Sequence, residues 1–250
     1  MYCVPVRVTV AILTLIAAPQ WLEAQGIKEV RLDRDGAEPV RALVAGPEDA
    51  DAAILLLHDW FGVTDGTRDA LRRIANLGYR GLALDLYDGE SATTHARAGE
   101  LSGSLSRDEV RSKLETGLAT LMDAGFHEVG ALGFSMGGDP AFTAARMGDV
   151  GAAAVVYGGG MESLSDEELA ALDFPLLLVT GSDDAWPMGT VQALLPRMNA
   201  VGAELEIYVY PRARHAYAQP LFAGGDNLDP VATEATWEVL ESFFARNLGD

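Results

Sequence analysis

Ser135 stands in Gly133-Phe134-Ser135-Met136-Gly137, a G-x-S-x-G. A short apolar run, Val129 to Leu132, precedes it, and Gly138 to Arg146 reads as a helix with small residues near its start. Strand, tight turn and helix together make a nucleophile elbow, which presents a hydroxyl above a sheet. Gly133 and Gly137 lack a Cβ, so the neighbouring backbone can approach closely. The N–H groups that open the following helix point at developing negative charge. The chemistry available to such a serine is attack on a carbonyl carbon, provided that a base takes its proton.

The chain has four histidines, His58, His95, His127 and His215. His127 comes before the elbow strand, at the opposite edge of the sheet. His95 falls in a long loop, and His58 precedes the serine. His215 follows both the serine and an acid, and Ser…Asp…His is the chain order of the α/β-hydrolases. His215 is therefore read as the general base. The orienting acid belongs just past a strand between the two, where Asp183 and Asp184 both stand. Asp184 is chosen because one more residue beyond Gly181 lets the loop turn back toward the histidine; Asp183 is the alternative. Its task is to hold the imidazole tautomer and stabilise the imidazolium. An oxyanion hole needs two donors, and the backbone N–H groups of Met136 and Trp60 are assigned to it.

These side chains need a scaffold that brings them to one place. Ile27 to Asp33 and Val40 to Ala45 alternate as two antiparallel strands joined at Asp33-Arg34-Asp35-Gly36. Ala53 to Leu57, Gly81 to Asp85, Val129 to Leu132, Ala152 to Tyr157 and Pro175 to Thr180 are apolar runs, the pattern of strands buried on both faces. Glu204 to Tyr210 alternates as an edge strand does. Helices are predicted over Thr67 to Asn76, Ser106 to Met122, Gly138 to Arg146, Ser165 to Ala171, Thr190 to Ala200 and Val231 to Asn247, while Leu86 to Gly103 reads as a loop. Strands alternating with helices predict an α/β fold, a mostly parallel sheet with helices on both faces. Ligands then bind beyond the carboxyl ends of the strands. His58, Asp59, Asp85, Ser135, Gly158, Asp184 and His215 all fall at that edge.

The formal charge of −19 provides no basic patch, which argues against a nucleic-acid or anionic-membrane partner. Residues 1–24 read as a signal peptide, with Arg7 in the n-region, the apolar run Val8 to Ala18, and cleavage near Ala24-Gln25. This predicts a periplasmic or secreted protein whose residues 25–250 form one domain, with no membrane span after the signal is removed, as a monomer or weak homodimer. The single cysteine, Cys3, lies in that leader. No metal-ligand spacing, P-loop or dinucleotide fingerprint is present, so no metal and no cofactor are expected.

Gly133 to Gly138, His58-Asp59-Trp60-Phe61-Gly62-Val63, Asp85-Leu86-Tyr87, Gly181 to Asp184 and Arg214-His215-Ala216-Tyr217, taken together, resemble the dienelactone hydrolase family of the α/β-hydrolase superfamily. The likeness runs from about Ala53 to Leu248. It implies a Ser135–His215–Asp184 triad and an acyl-enzyme route on a small ester or lactone. Three departures stand out. The family's best-studied members carry cysteine where Ser135 stands and glutamate where Asp59 stands. Members acting on dienelactone clamp its carboxylate with arginines, and the matching positions here are Gly89 and Gln219. A neutral ester or lactone is therefore the expected substrate. Asp59, Tyr87, Trp186 and Tyr217 are expected to contact it, with Phe222 as a further wall. A small-ligand-binding protein on a hydrolase scaffold, or an acyltransferase or peptidase of the same fold, are the alternatives.

Overall fold

Alternation along each strand sorts the side chains into two cores. In Ala53–Leu57 (β3) every residue is buried, with Ala53, Leu55 and Leu57 in one core and Ile54 and Leu56 in the other. A strand covered on both faces requires this division. The computed structural model describes residues 26–34, 36–219 and 227–249. The stretch predicted as a signal peptide, Asp35 of the first turn and Phe222 lie outside the described residues.

Eight strands form one sheet: Lys28–Leu32 (β1), Val40–Ala45 (β2), β3, Arg80–Leu84 (β4), Val129–Phe134 (β5), Ala152–Val156 (β6), Leu176–Gly181 (β7) and Leu205–Tyr210 (β8). Their order is β1-β2-β4-β3-β5-β6-β7-β8. The β1–β2 and β2–β4 pairs are antiparallel, and the rest are parallel. Register aligns the carboxyl ends: Leu57 pairs with Gly133, Phe134 with Val156, and Gly181 with Tyr210. The residues that follow, His58, Ser135, Tyr157 and Ser182, therefore leave the sheet along one edge.

Asp65–Asn76 (α1) and Pro230–Asn247 (α7) cover one face, through Leu71 and Ile74 and through Leu240, Phe243 and Phe244. The other face carries His95–Ser104 (α2), Arg107–Asp123 (α3), Gly138–Ala144 (α4), Asp166–Ala170 (α5) and Ala185–Val201 (α6). Ser106 caps α3 by accepting from the Glu109 N–H, and Ser165 and Glu168 form a reciprocal capping box on α5.

The structure corrects the sequence reading in three elements. The stretch read as a loop from Leu86 to Gly103 contains α2, capped by Thr94 and held by buried Ala98 and Leu101. His95, expected in that loop, is its first residue. Helix α6 starts at Ala185 rather than Thr190, because Asp184 already has the extended backbone of a cap. Helix α4 ends at Ala144 and passes into a wider turn over Ala145–Asp149, where Gly148 has φ 95°.

Candidate active site

Ser135 sits between β5 and α4 at φ 52°, a left-handed conformation that costs a side-chain-bearing residue on the order of 1–3 kcal/mol. Close packing on both sides holds it there. A Cβ at Gly133 would lie 2.1 Å from the Gly137 carbonyl oxygen, and one at Gly137 would lie 2.4 Å from that of Leu57. Only glycine fits at either position. The turn is thereby pressed against the end of β3.

The Ser135 hydroxyl lies 2.8 Å from His215 Nε2, and His215 Nδ1 lies 2.6 Å from Asp184 Oδ2. In a neutral ring Nδ1–H donates to the carboxylate, which leaves Nε2 as acceptor for the serine proton. Asp184 stands at the N-cap of α6, yet its side chain makes no capping hydrogen bond. Its carboxylate, 6% exposed, is turned to the imidazole. Asp183 is exposed and accepts from the Ser182 hydroxyl at 3.1 Å, so the structure brings Asp184, not Asp183, to the histidine.

The loop carrying His215 is fastened to the end of β7. The Asp183 N–H donates to Ala213 O at 3.1 Å, the Arg212 N–H to Ser182 Oγ at 2.8 Å, and the Ser182 N–H to Tyr210 O at 2.9 Å. A Cβ on Gly181 would fall 2.0 Å from Ala213 O, so this approach needs glycine. Two aromatic rings lie beside the imidazole, with centroids 5.5 Å away for Tyr157 and 5.8 Å for Trp186.

The segment after β3 is pinned group by group. The Leu86 N–H donates to His58 Nε2 at 3.1 Å, so His58 Nδ1 carries the proton and donates to Asp59 O at 2.7 Å. The Phe61 N–H donates to Asp59 Oδ1 at 2.8 Å. The Tyr87 hydroxyl donates to Trp60 O at 3.1 Å and lies 3.3 Å from Met136 Sδ. Lys113, 1% exposed, donates to Leu86 O at 3.0 Å and pairs with Asp88 at 2.7 Å. Burial holds His58 below the usual histidine range, so it stays neutral. Burial pushes the Asp59 carboxyl up to about 6, although the Phe61 N–H and the nearby His215 both favour its charge. Burial also raises the Tyr87 phenol, which remains protonated and able to donate.

A cavity of about 1080 Å³ opens over Ser135 and His215, and Asp59, Trp60, Met136 and Trp186 are among the residues that line it. Two expectations fail. Tyr217 is wholly buried, with its hydroxyl 2.7 Å from Thr236 Oγ1 and its ring against Tyr157, so it belongs to the core. Tyr87 is 5% exposed and braces the loop from beneath rather than forming a wall. His95, dismissed in the sequence, does line the cavity beside Trp60 and Phe61. Gly89 and Gln219 lie outside it, Gly89 against the Arg41 guanidinium and Gln219 buried near Gly66. Asp85 also lies outside, its carboxylate accepting from the Tyr87 N–H at 3.0 Å. Sequence reasoning missed Lys113 as a brace. The available signal was one of only two lysines in the chain, set within the apolar stripe of α3. Among the described residues, no three His, Cys, Asp or Glu side chains gather in a way that could hold a metal ion.

A mostly parallel sheet with a hydroxyl at the β5–α4 elbow and an imidazole after β8 defines an α/β-hydrolase. The model of the dienelactone hydrolase family matches residues 40–248. The chain belongs to that family and is a carboxylic ester hydrolase. It is 26% identical to a provisionally named carboxymethylenebutenolidase of Saccharolobus solfataricus, over 88% of this chain and 98% of that one. It is 24% identical to the carboxymethylenebutenolidase of Pseudomonas putida, over 73% and 82%. The crystal structure of a provisionally named dienelactone hydrolase of Klebsiella pneumoniae superposes with a TM-score of 0.76 at 25% identity, covering 88% of this chain and 98% of that one.

Proposed function

We propose that the protein is a serine hydrolase that cleaves an ester or lactone through an acyl-enzyme, with Ser135, His215 and Asp184 as its triad. The observation that carries this reading is the unbroken hydrogen-bonded line from the Ser135 hydroxyl through the imidazole to the Asp184 carboxylate. As Ser135 Oγ attacks the carbonyl carbon, its proton passes to His215 Nε2. The carbonyl oxygen becomes an oxyanion, held by the N–H groups of Met136 and Trp60. Collapse of the tetrahedral intermediate breaks the bond to the alcohol oxygen, which takes the proton from His215. The acyl group stays on Ser135. Water then gives a proton to His215 and attacks the acyl carbon. The second collapse returns that proton to Ser135 and frees the acid. Asp184 holds the ring in the Nδ1–H tautomer and stabilises the imidazolium.

The substrate is a small molecule. Neither position matching the family's arginine clamp lines the cavity, and neither is cationic, which supports a neutral ester or lactone. The apolar N-terminal run supports export to the periplasm or beyond. A fluorophosphonate probe tests the central assignment. It should label the protein at Ser135, and Ser135→Ala should abolish both labelling and esterase turnover. Full esterase activity in Ser135→Ala would refute the triad.

A further inference from the structure

We infer that the acyl half of the substrate is a bulky apolar group, of medium-chain or aryl size, rather than a short or anionic acid. The inference rests on the serine-hydrolase reading above and adds what that site accepts. Clefts of roughly 300–1,000 Å³ bury most of a drug-sized ligand. The cavity here, about 1080 Å³, lies just above that range, and a short acid would leave most of it wet.

An apolar strip runs beyond Ser135, made by Leu105 after α2, Val110 on α3, Phe142 on α4, and Met161 and Leu164 after β6, with charged residues such as Arg107, Asp108 and Glu168 at its exposed rim. Both Met136 and Arg146 line the cavity, ten residues apart along α4 and its two flanking turns. Helical rise makes that arm about 15 Å long. Gly159, in the cavity lining, lets Thr190 and Trp186 pack against its backbone. A Cβ on Gly159 would come within 2.6 Å of Thr190 Oγ1 and 2.9 Å of Trp186 Nε1. Two arginines at the rim are ion-paired. Arg146 pairs with Glu168 at 3.2 Å and Arg111 pairs with Glu115 at 3.1 Å. An anionic tail would also face the carboxylates of Asp108, Asp139 and Glu168, which line the same cavity.

The arm takes the acyl group rather than the alcohol for a chemical reason. The alcohol oxygen must reach His215 Nε2 to be protonated. The His215 side chain is 38% exposed, and the neighbouring Trp186 is 47% exposed, so that side opens to solvent. The acyl carbon is bonded to Ser135, where the arm along α4 begins.

The test uses the full chain with p-nitrophenyl acetate, butyrate and octanoate. Each buried methylene is worth up to about fourfold in binding, so kcat/KM should rise about tenfold or more from acetate to octanoate. Val110→Trp should lower kcat/KM for octanoate at least about tenfold more than for acetate; Leu105→Trp is the second variant if the first fails to fold. An optimum at acetate, or tryptophan variants that slow both esters equally, would overturn the inference. Fluorophosphonate labelling of the same preparation separates the two levels. A labelled Ser135 with an acetate optimum removes this inference alone, whereas absence of labelling removes the reading beneath it.

Discussion

The Leu86 amide hydrogen points at His58 Nε2, 3.1 Å away, and so decides what the other ring nitrogen does. With Nε2 as acceptor, Nδ1 bears the proton and holds Asp59 O at 2.7 Å. In a trans peptide the C=O and N–H point in opposite directions. Anchoring the Asp59 carbonyl therefore aims the Trp60 N–H, the proposed oxyanion donor, the other way. His58→Ala should lower kcat by about 10- to 100-fold with little change in KM, the pattern of an interaction made in the transition state. His58→Asn, which keeps a side-chain donor, should recover part of the loss. Steady-state kinetics on one ester check both.

Asp183 and Asp184 make an internal control. Asp184→Asn keeps the shape but favours the wrong tautomer of His215, and kcat should fall by about 10³- to 10⁴-fold. Asp183→Asn, at an exposed position, should stay within about twofold of wild type. Rates of fluorophosphonate labelling should follow the same order.

Asp59 should make stability depend on pH in an uncommon direction. Its ordinary value is 3.8, and burial raises it to about 6 in the fold. Between those values the folded state holds a proton that the unfolded chain has lost, so stability falls as pH rises. Above about 6 the fold bears the whole cost of a buried carboxylate, about 3 kcal/mol for a shift of this size. Asp59→Asn removes that charge while keeping an oxygen for the Phe61 N–H. It should raise stability by up to about 3 kcal/mol near pH 8 and by almost nothing near pH 4. Urea denaturation at the two pH values reads the difference.

Gly137→Ala should be costly for the fold itself. The added methyl would meet two backbone carbonyls, Leu57 O at 2.4 Å and His58 O at 2.5 Å, and neither can swing aside. A loss of about 3 kcal/mol or more is expected, seen as a lower urea midpoint. Gly125→Ala probes a different term. No atom lies within 4 Å of its Cβ position, so that variant should show only the strain of φ 95°.

Much of this architecture is legible in the chain because burial on two faces leaves a continuous apolar run. Val40–Ala45 and Ala53–Leu57 are bounded in the structure as the pattern predicts. The chain order of Ser135, Asp184 and His215 follows from where such runs stop. Helix α2 is hidden because it buries only Ala98 and Leu101 and carries Gly99 and Gly103, so composition resembles a loop. Tyr87 and Tyr217 look like pocket walls because they follow strands. What decides otherwise is a partner far away in sequence, Trp60 O for one hydroxyl and Thr236 for the other. His58 is opaque for the same reason, since its ring is fixed by an amide 28 positions on.

Gly181 and Ala213 meet so closely that the His215 imidazole and the Asp184 carboxylate share one mounting, a bracket made of the ends of β7 and β8. Ser135, the proposed nucleophile, stands apart at the end of β5, two strands from that bracket. Thermal agitation of the sheet should therefore move imidazole and carboxylate together, with the relative movement falling on the gap to the hydroxyl. On warming, catalytic alignment should degrade first at the Ser135–His215 junction, with the His215–Asp184 pair persisting until the two-strand bracket itself melts.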